Sequence, residues 1–82
     1  MRTYMPVYAE ALELKKYISE RGLKYVHFHD QCGIQYFNFD ESDEESRKAA
    51  AEFWQARGLD IRFAEDNLRF IVVDPKAEEP EV

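Results

Sequence analysis

The sequence has few of the residues that form cross-links or break regular structure. It contains one cysteine, three glycines and three prolines among its 82 residues. A single cysteine excludes an internal disulfide, and so little glycine and proline excludes a collagen-like or low-complexity chain. No apolar run approaches the roughly eighteen residues of a membrane span, and the first residues lack a signal-peptide pattern. We therefore expect a cytoplasmic protein that does not enter the membrane.

Positive charge is also scarce. Eleven Lys and Arg residues are outnumbered by seventeen Asp and Glu residues, which leaves a net charge of −6 at pH 7. Such a chain repels the phosphates of nucleic acid at long range. We therefore expect no nucleic-acid partner, and the surface favours either basic proteins or simple solubility.

Apolar and aromatic residues are plentiful, at 45% and 15% of the chain. That composition supports a folded core and excludes a fully disordered chain. The length suits one domain. We place this domain at residues 1–74 and expect residues 75–82, which are acidic and contain two prolines, to form a flexible tail.

Two segments have the periodicity of amphipathic helices. The first covers 6–21 and ends at Gly22, a typical left-handed cap; its apolar stripe has spacings of four, three and four, at Val7, Ala11, Leu14 and Ile18. The second follows an acidic run in which Ser42 and Glu45 have the spacing of a capping box. It ends at Gly58.

Each helix precedes two β-rich segments joined by a short turn. The first pair covers 23–29 and 34–39, and the second covers 59–64 and 68–73. The tripeptide Arg-Gly-Leu ends both helices. Because the same elements follow it each time, we interpret the chain as an internal αββ repeat. The alternative is that ordinary C-cap chemistry alone produced the match.

Two αββ units predict an α+β fold, an αββαββ two-layer sandwich whose four-stranded antiparallel sheet carries both helices on one face. The strand orders 2-1-3-4 and 1-2-4-3 both satisfy a two-fold relation between the units. Segments 34–39 and 68–73 are apolar on both faces, which is typical of central strands, whereas 59–64 has one polar face. We therefore prefer 1-2-4-3, a circular permutation of the ferredoxin-like topology. Topology alone says nothing about function.

Such an arrangement leaves one face of the sheet without helices. In the first strand, Tyr25, His27 and His29 share a side, which we assign to the helix-free face, with Val26 and Phe28 towards the helices. Alignment of the two repeats favours the opposite phase, so the sequence leaves this choice open.

The central strands add further side chains to the helix-free face, and the predicted interface comprises Tyr25, Gln35, Phe37, Arg62, Arg69 and Ile71. Large apolar side chains left in water forgo burial worth about 25 cal/mol per Å². We therefore expect a homodimer, the commonest oligomer, or a different protein partner. The function this predicts is a small non-enzymatic interaction or regulatory module.

A second hypothesis is a metal-binding or small-ligand-binding domain. His27 and His29 lie two apart in a strand and so point to the same side, and Cys32 follows in the turn. Imidazole and thiolate groups are zinc ligands, but an Asp or Glu would have to complete the site. The alternative is that these are ordinary half-exposed residues. Since a turn supplies no oxyanion hole for Cys32, we expect no catalytic residues, no cofactor and no enzyme.

A third hypothesis starts from the acidic run at Asp40, Glu41, Asp43, Glu44 and Glu45. A negative surface of this kind is able to imitate nucleic-acid phosphates and block a basic protein. The alternative is capping of the second helix together with solvation.

Overall fold

Two helices and five strands make up the part of the chain that the structure, a computed structural model, describes: residues 2–31 and 33–76. The elements are β1 (Arg2–Tyr4), α1 (Tyr8–Glu20), β2 (Val26–Gln31), β3 (Ile34–Phe39), α2 (Glu44–Gln55), β4 (Asp60–Phe63) and β5 (Arg69–Asp74). The α+β class is confirmed. Most of the predicted tail, residues 77–82, and Cys32 lie outside the described residues. Within them, neither helix is long and apolar enough to cross a membrane.

The strand β5 lies at the centre of the sheet. Phe70 pairs with residues of both β3 and β4, and Val72 pairs with residues of both β1 and β4, so β1 and β3 share the edge of β5 opposite β4. The strand β3 pairs in turn with β2, and every pairing is antiparallel. The pairs β2–β3, β3–β5 and β5–β4 are those that the order 1-2-4-3 requires. The predicted count of four strands is wrong, because β1 adds a fifth.

Tertiary contacts hold β1 in place. Its three residues have no polar–apolar alternation, so the sequence pattern does not predict a strand there. The Tyr4 ring lies 6.3 Å from the Trp54 ring, and its hydroxyl donates to the Glu10 carboxylate at 2.9 Å, which raises the pKa of Tyr4. This anchor links β1 to both helices.

The helices begin and end through local chemistry. The N-cap of α2 is Asp43, whose Oδ2 accepts from the Ser46 N–H at 3.2 Å and from the Ser46 hydroxyl at 2.5 Å. The predicted Ser42 cap is therefore wrong by one residue. The glycines that follow both helices have positive φ angles, 67° at Gly22 and 78° at Gly58, as their predicted capping role requires.

The core lies between the helices and one face of the sheet. Its largest buried side chains are Trp54, Phe37, Phe39, Phe70, Leu14 and Ile18. The Phe37 ring stacks on Phe70 with centroids 5.0 Å apart and lies 6.0 Å from Trp54. Val26, at 1% exposure, faces the same core, which decides the phase of the first strand that the sequence leaves open.

The placement of Phe37 and Gln35 on the helix-free face is wrong. Phe37 pairs directly with Phe28 of β2 and with Phe70 of β5, and directly opposed residues share a face. All three rings therefore point to the helices, and Phe37 is only 1% exposed. By strand alternation Gln35 follows Phe37 to the same side.

Candidate functional site

The helix-free side of the sheet is the candidate functional surface. We call it the open face. Strand register places these residues on it: His27, His29, Tyr36, Asn38, Arg62, Arg69 and Ile71. Tyr25 precedes β2 and joins them through its ring contact with His27. Tyr25 is 58% exposed, both arginines are exposed, and the others are half-buried. The face carries fewer large apolar side chains than the sequence predicted, because Phe37 and Phe39 belong to the core.

Aromatic rings pair along the β2–β3 side of the open face. The His29 imidazole stacks on Tyr36 with centroids 4.5 Å apart and planes 15° apart. The Tyr25 ring meets His27 edge-on at 4.7 Å. Such cross-strand and same-strand contacts stiffen side chains that already have few rotatable bonds. The pairs therefore form a rigid aromatic row.

Polar contacts fix the same row from outside. The Nε2 atom of His27 lies 3.0 Å from Asp40 Oδ2, and that of His29 lies 2.5 Å from Asn38 Oδ1. The Lys15 ammonium donates to the Tyr25 hydroxyl at 2.9 Å. Both histidine Nε2 atoms therefore already have hydrogen-bond partners within this chain.

A groove of about 230 Å³ lies beside the row. The strand β3 pairs with β5 only at Phe37 and Asn38, and β1 takes its place further along β5. The groove crosses β5 from β3 to β4 and has these residues as its lining: Tyr36, Arg62, Phe63, Ala64, Arg69, Phe70 and Ile71. An apolar floor with two guanidinium groups at its rim suits an apolar side chain carried by an acidic segment.

The predicted metal ligands have a mixed outcome. His27 and His29 share the open face, and their ring centroids are 6.4 Å apart. Cys32 lies outside the described residues, so its part in a site stays a prediction. Within residues 2–31 and 33–76, no group of three His, Cys, Asp or Glu side chains is arranged to hold a metal ion.

The acidic run is used largely within the chain. Asp43 caps α2, and the Ser46 hydroxyl that donates to it lowers the pKa of this carboxyl. Glu41 lies 3.3 Å from the Lys24 ammonium, and Asp40 contacts His27. These contacts favour a structural role for the run over phosphate mimicry.

Four of the six predicted interface residues come together on the open face: Tyr25, Arg62, Arg69 and Ile71. The sequence interpretation missed Tyr36 and Asn38. Their signal was the hairpin turn, because a two-residue loop pairs Gln31 with Ile34 and so sets Tyr36 opposite His29. The sequence predicted a turn of about four residues, which leaves the register undetermined.

A scan against protein-family models and searches of curated proteins and of solved structures find no match to this chain.

Proposed function

We propose that this chain is a non-enzymatic protein-interaction module that docks another protein, a second copy or a different partner, through its open face. The observation that carries the proposal is the rigid aromatic row beside an apolar groove with Arg62 and Arg69 at its rim. Both helices pack on the opposite side of the sheet, so neither helix covers this surface.

The residue types on this face are those that dominate binding energy in protein interfaces. Tyrosine and arginine are enriched among such residues, and they contribute most to the binding free energy where a pocket excludes water. Arg69 is already oriented by Asp66, whose Oδ2 accepts from its Nε at 3.1 Å. Arg62 is exposed and available to an incoming carboxylate.

The strand pairs also support a proposal about topology. We infer that the chain is the permuted ferredoxin-like plait expected from its αββ repeat, extended by β1 along the edge of β5. In that topology the helices occupy one layer and the open face is the natural docking side.

Site-specific photocrosslinking tests the docking proposal in cells that express the protein. Benzoylphenylalanine replaces Arg62 on the open face or, as the matched control, the exposed Lys48 of α2. We expect a discrete adduct from position 62 and none of the same mass from position 48. An adduct of twice the chain mass identifies a second copy, and any other mass identifies a different partner.

The variant Ile71→Lys gives the decisive comparison, because it places a charge on the floor of the groove. The adduct from position 62 should disappear in this background while the folded state persists. Because the probe at position 62 removes a guanidinium group, benzoylphenylalanine at the exposed Ala64 of the same groove repeats the test with Arg62 intact. The proposal is wrong if neither position gives an adduct, or if the adduct is unchanged by Ile71→Lys.

A further inference from the structure

Within the described part of the chain, the strand β2 has main-chain hydrogen-bonding groups that face no neighbouring strand. Among the described residues it pairs only with β3. The Phe39 N–H donates to the Leu68 carbonyl, at 2.9 Å, on the β5 side. Since these groups alternate along an antiparallel strand, the residues of β2 that bond to β3 are the odd-numbered ones. Val26, Phe28 and Asp30 therefore point their N–H and C=O groups away from the sheet. We call these three residues the free edge.

We propose that the free edge pairs with the free edge of a second copy of this chain, antiparallel, about a two-fold axis at Phe28. Phe28 then lies opposite Phe28 of the second copy, and Val26 lies opposite the second copy's Asp30. All three pairs are of the type that exchanges both N–H···O=C bonds. Two five-stranded sheets would become one continuous sheet, with all four helices on the same side.

The charges of the free edge are self-complementary in this arrangement. Lys24 precedes the edge and Asp30 lies at its far end, on the same side of the strand. Antiparallel pairing brings Lys24 diagonally beside the second copy's Asp30, within reach of a long side chain. A parallel arrangement would instead set like charges together. The present partner of Lys24, Glu41, does not prevent this, since both side chains are more than half exposed, at 53% and 72%.

The flank of α1 above β2 carries two exposed large apolar side chains, Tyr8 and Leu12. Its stripe has helical spacing and comprises Tyr8, Leu12, Lys15 and Ser19. Lys15 and Ser19 line a shallow pocket of about 110 Å³ with Tyr25 and Val26, which places the stripe on the β2 side.

Exposure of this flank supports a protein occupant. Tyr8 is 67% exposed, Leu12 46% and Tyr25 58%, and these are three of the five large apolar side chains exposed within the described residues. Under the two-fold axis, the α1 helices of the two copies would approach side by side and cover them. The same symmetry that pairs the edges therefore also buries the adjacent tyrosines.

The area available predicts a weak dimer. An aromatic side chain buries about 150–250 Å², so two tyrosines exposed by more than half contribute roughly 200 Å² per copy. A standard interface needs about 800 Å² per partner. With Leu12 and the strand edge added, the interface stays at the small end of the range, and we expect a weak dimer that dissociates on dilution.

Sedimentation equilibrium with two variants of one residue tests the edge. Asp30→Pro removes the outward N–H without touching a bond to β3, and proline is tolerated on edge strands. Asp30→Ala keeps the N–H. We expect the wild-type mass to rise from one chain towards two between low and high micromolar concentration. The dissociation constant of Asp30→Ala should lie within a few-fold of the wild-type value, whereas Asp30→Pro should stay at the mass of one chain.

A second variant keeps the test valid if Asp30→Pro does not fold, as judged by circular dichroism. Leu12→Lys, on the exposed flank, should raise the dissociation constant at least tenfold. Amide exchange at Val26, Phe28 and Asp30 should also slow at high concentration. A wild-type chain that stays single at every concentration, or an Asp30→Pro variant that dimerises like Asp30→Ala, would overturn the proposal.

The surface buried by edge pairing and the open face share only Tyr25, and the test variants lie elsewhere, so the two tests fail independently. Self-association that survives Asp30→Pro but is lost in Ile71→Lys would assign the dimer to the open face and contradict edge pairing. Self-association lost in Asp30→Pro alone supports edge pairing and leaves docking at the open face to the crosslinking experiment.

Discussion

Ser46 is a small residue whose hydroxyl makes two hydrogen bonds in the structure. It is fully buried, its hydroxyl accepts from the Lys24 N–H at 3.0 Å, and it donates to Asp43. It thereby links the start of α2 to the segment that enters β2. Ser46→Ala leaves a partly buried N–H without its partner, which costs about 1–3 kcal/mol.

The matched control for this change is Ser42→Ala, which removes the hydroxyl that the sequence pattern mistook for the cap. Ser42 is exposed, so its loss should change the free energy of unfolding by less than about 0.5 kcal/mol. Chemical denaturation of both variants decides the point, and equal losses would show that Ser46 does not play the part described.

Asp43 predicts a pH dependence of stability. Hydrogen bonds from the Ser46 hydroxyl and, secondarily, the Ser46 N–H lower the pKa of the folded Asp43 carboxyl below its ordinary 3.8. A carboxyl with a lowered folded pKa stabilises the protein above the unfolded value and loses that contribution as pH falls through the folded one. Asp43→Asn should therefore lose less stability than the wild type between neutral pH and about pH 3.

Denaturant midpoints measured across that pH range check the expectation. Some acid sensitivity should remain in the variant, since main-chain N–H groups of Leu68 and Arg69 lower the pKa of Asp66 as well. If the denaturant midpoint of Asp43→Asn fell as steeply with decreasing pH as that of the wild type, Asp43 would not be the source of the pH dependence.

The neighbours Tyr36 and Phe37 lie on opposite faces of β3, so the register decides which of the two is buried in the core. Phe37→Ala should cost about 3–5 kcal/mol, the usual loss for a buried phenylalanine. Tyr36→Ala, on the half-buried open face, should cost less, at about 1–2 kcal/mol. Thermal unfolding of the two variants separates them, and the opposite ranking would restore the face assignment that the sequence favoured.

At the scale of elements, the left-handed glycine after α2 makes a local prediction. The Gly58 N–H donates to the Gln55 carbonyl and the Leu59 N–H to the Trp54 carbonyl, both at 3.0 Å. Among the described residues, no atom outside Gly58 and its two chain neighbours lies within 4 Å of a Cβ added at Gly58. Gly58→Ala therefore carries only the backbone cost of positive φ, about 1–2 kcal/mol.

Asparagine tolerates this conformation better than alanine, so Gly58→Asn should recover part of the loss. For a domain of this size each kcal/mol corresponds to about 4–8 °C in Tm, which calorimetry resolves. A variant Gly58→Ala as stable as the wild type would mean that the chain bends elsewhere.

The sequence predicts those parts of the fold that depend on patterns among neighbouring residues. Both helices, their glycine stops and the two hairpins come from local periodicity and capping, and each lies within a few residues of its expected position. The strand β1 does not, since it forms through pairing with β5 and through the contacts of Tyr4 with Trp54 and Glu10.

Register is the second limit. The sequence leaves the phase of β2 open, because Val26 and Phe28 favour the observed phase and alignment of the two repeats favours the opposite one. The phase of β3 depends on the loop length between the strands, and a one-residue difference moves every side chain to the other face. Tyr25, Arg62, Arg69 and Ile71 of the candidate site follow from the sequence, whereas Tyr36 and Asn38 require the observed pairing.

At the scale of the whole molecule, the two helices bury one side of the sheet and leave two different surfaces for contact. The open face offers aromatic rings and guanidinium groups, which recognise side chains. The free edge of β2 offers main-chain groups, which recognise another strand. Edge pairing would set two open faces side by side, so that dimerisation doubles the docking surface and covers only Tyr25 of it.

This arrangement predicts how thermal stability should depend on protein concentration. Only the folded chain dimerises, so dimerisation stabilises the folded state by mass action. The wild-type Tm should therefore rise once the protein concentration exceeds the dissociation constant. A tenfold excess over that constant corresponds to about 1.4 kcal/mol, or several degrees for a domain of this size. Asp30→Pro should show a Tm independent of concentration, while Ile71→Lys, altered only on the open face, should keep the wild-type slope. Equal slopes in wild type and Asp30→Pro would place the contact between chains outside the free edge.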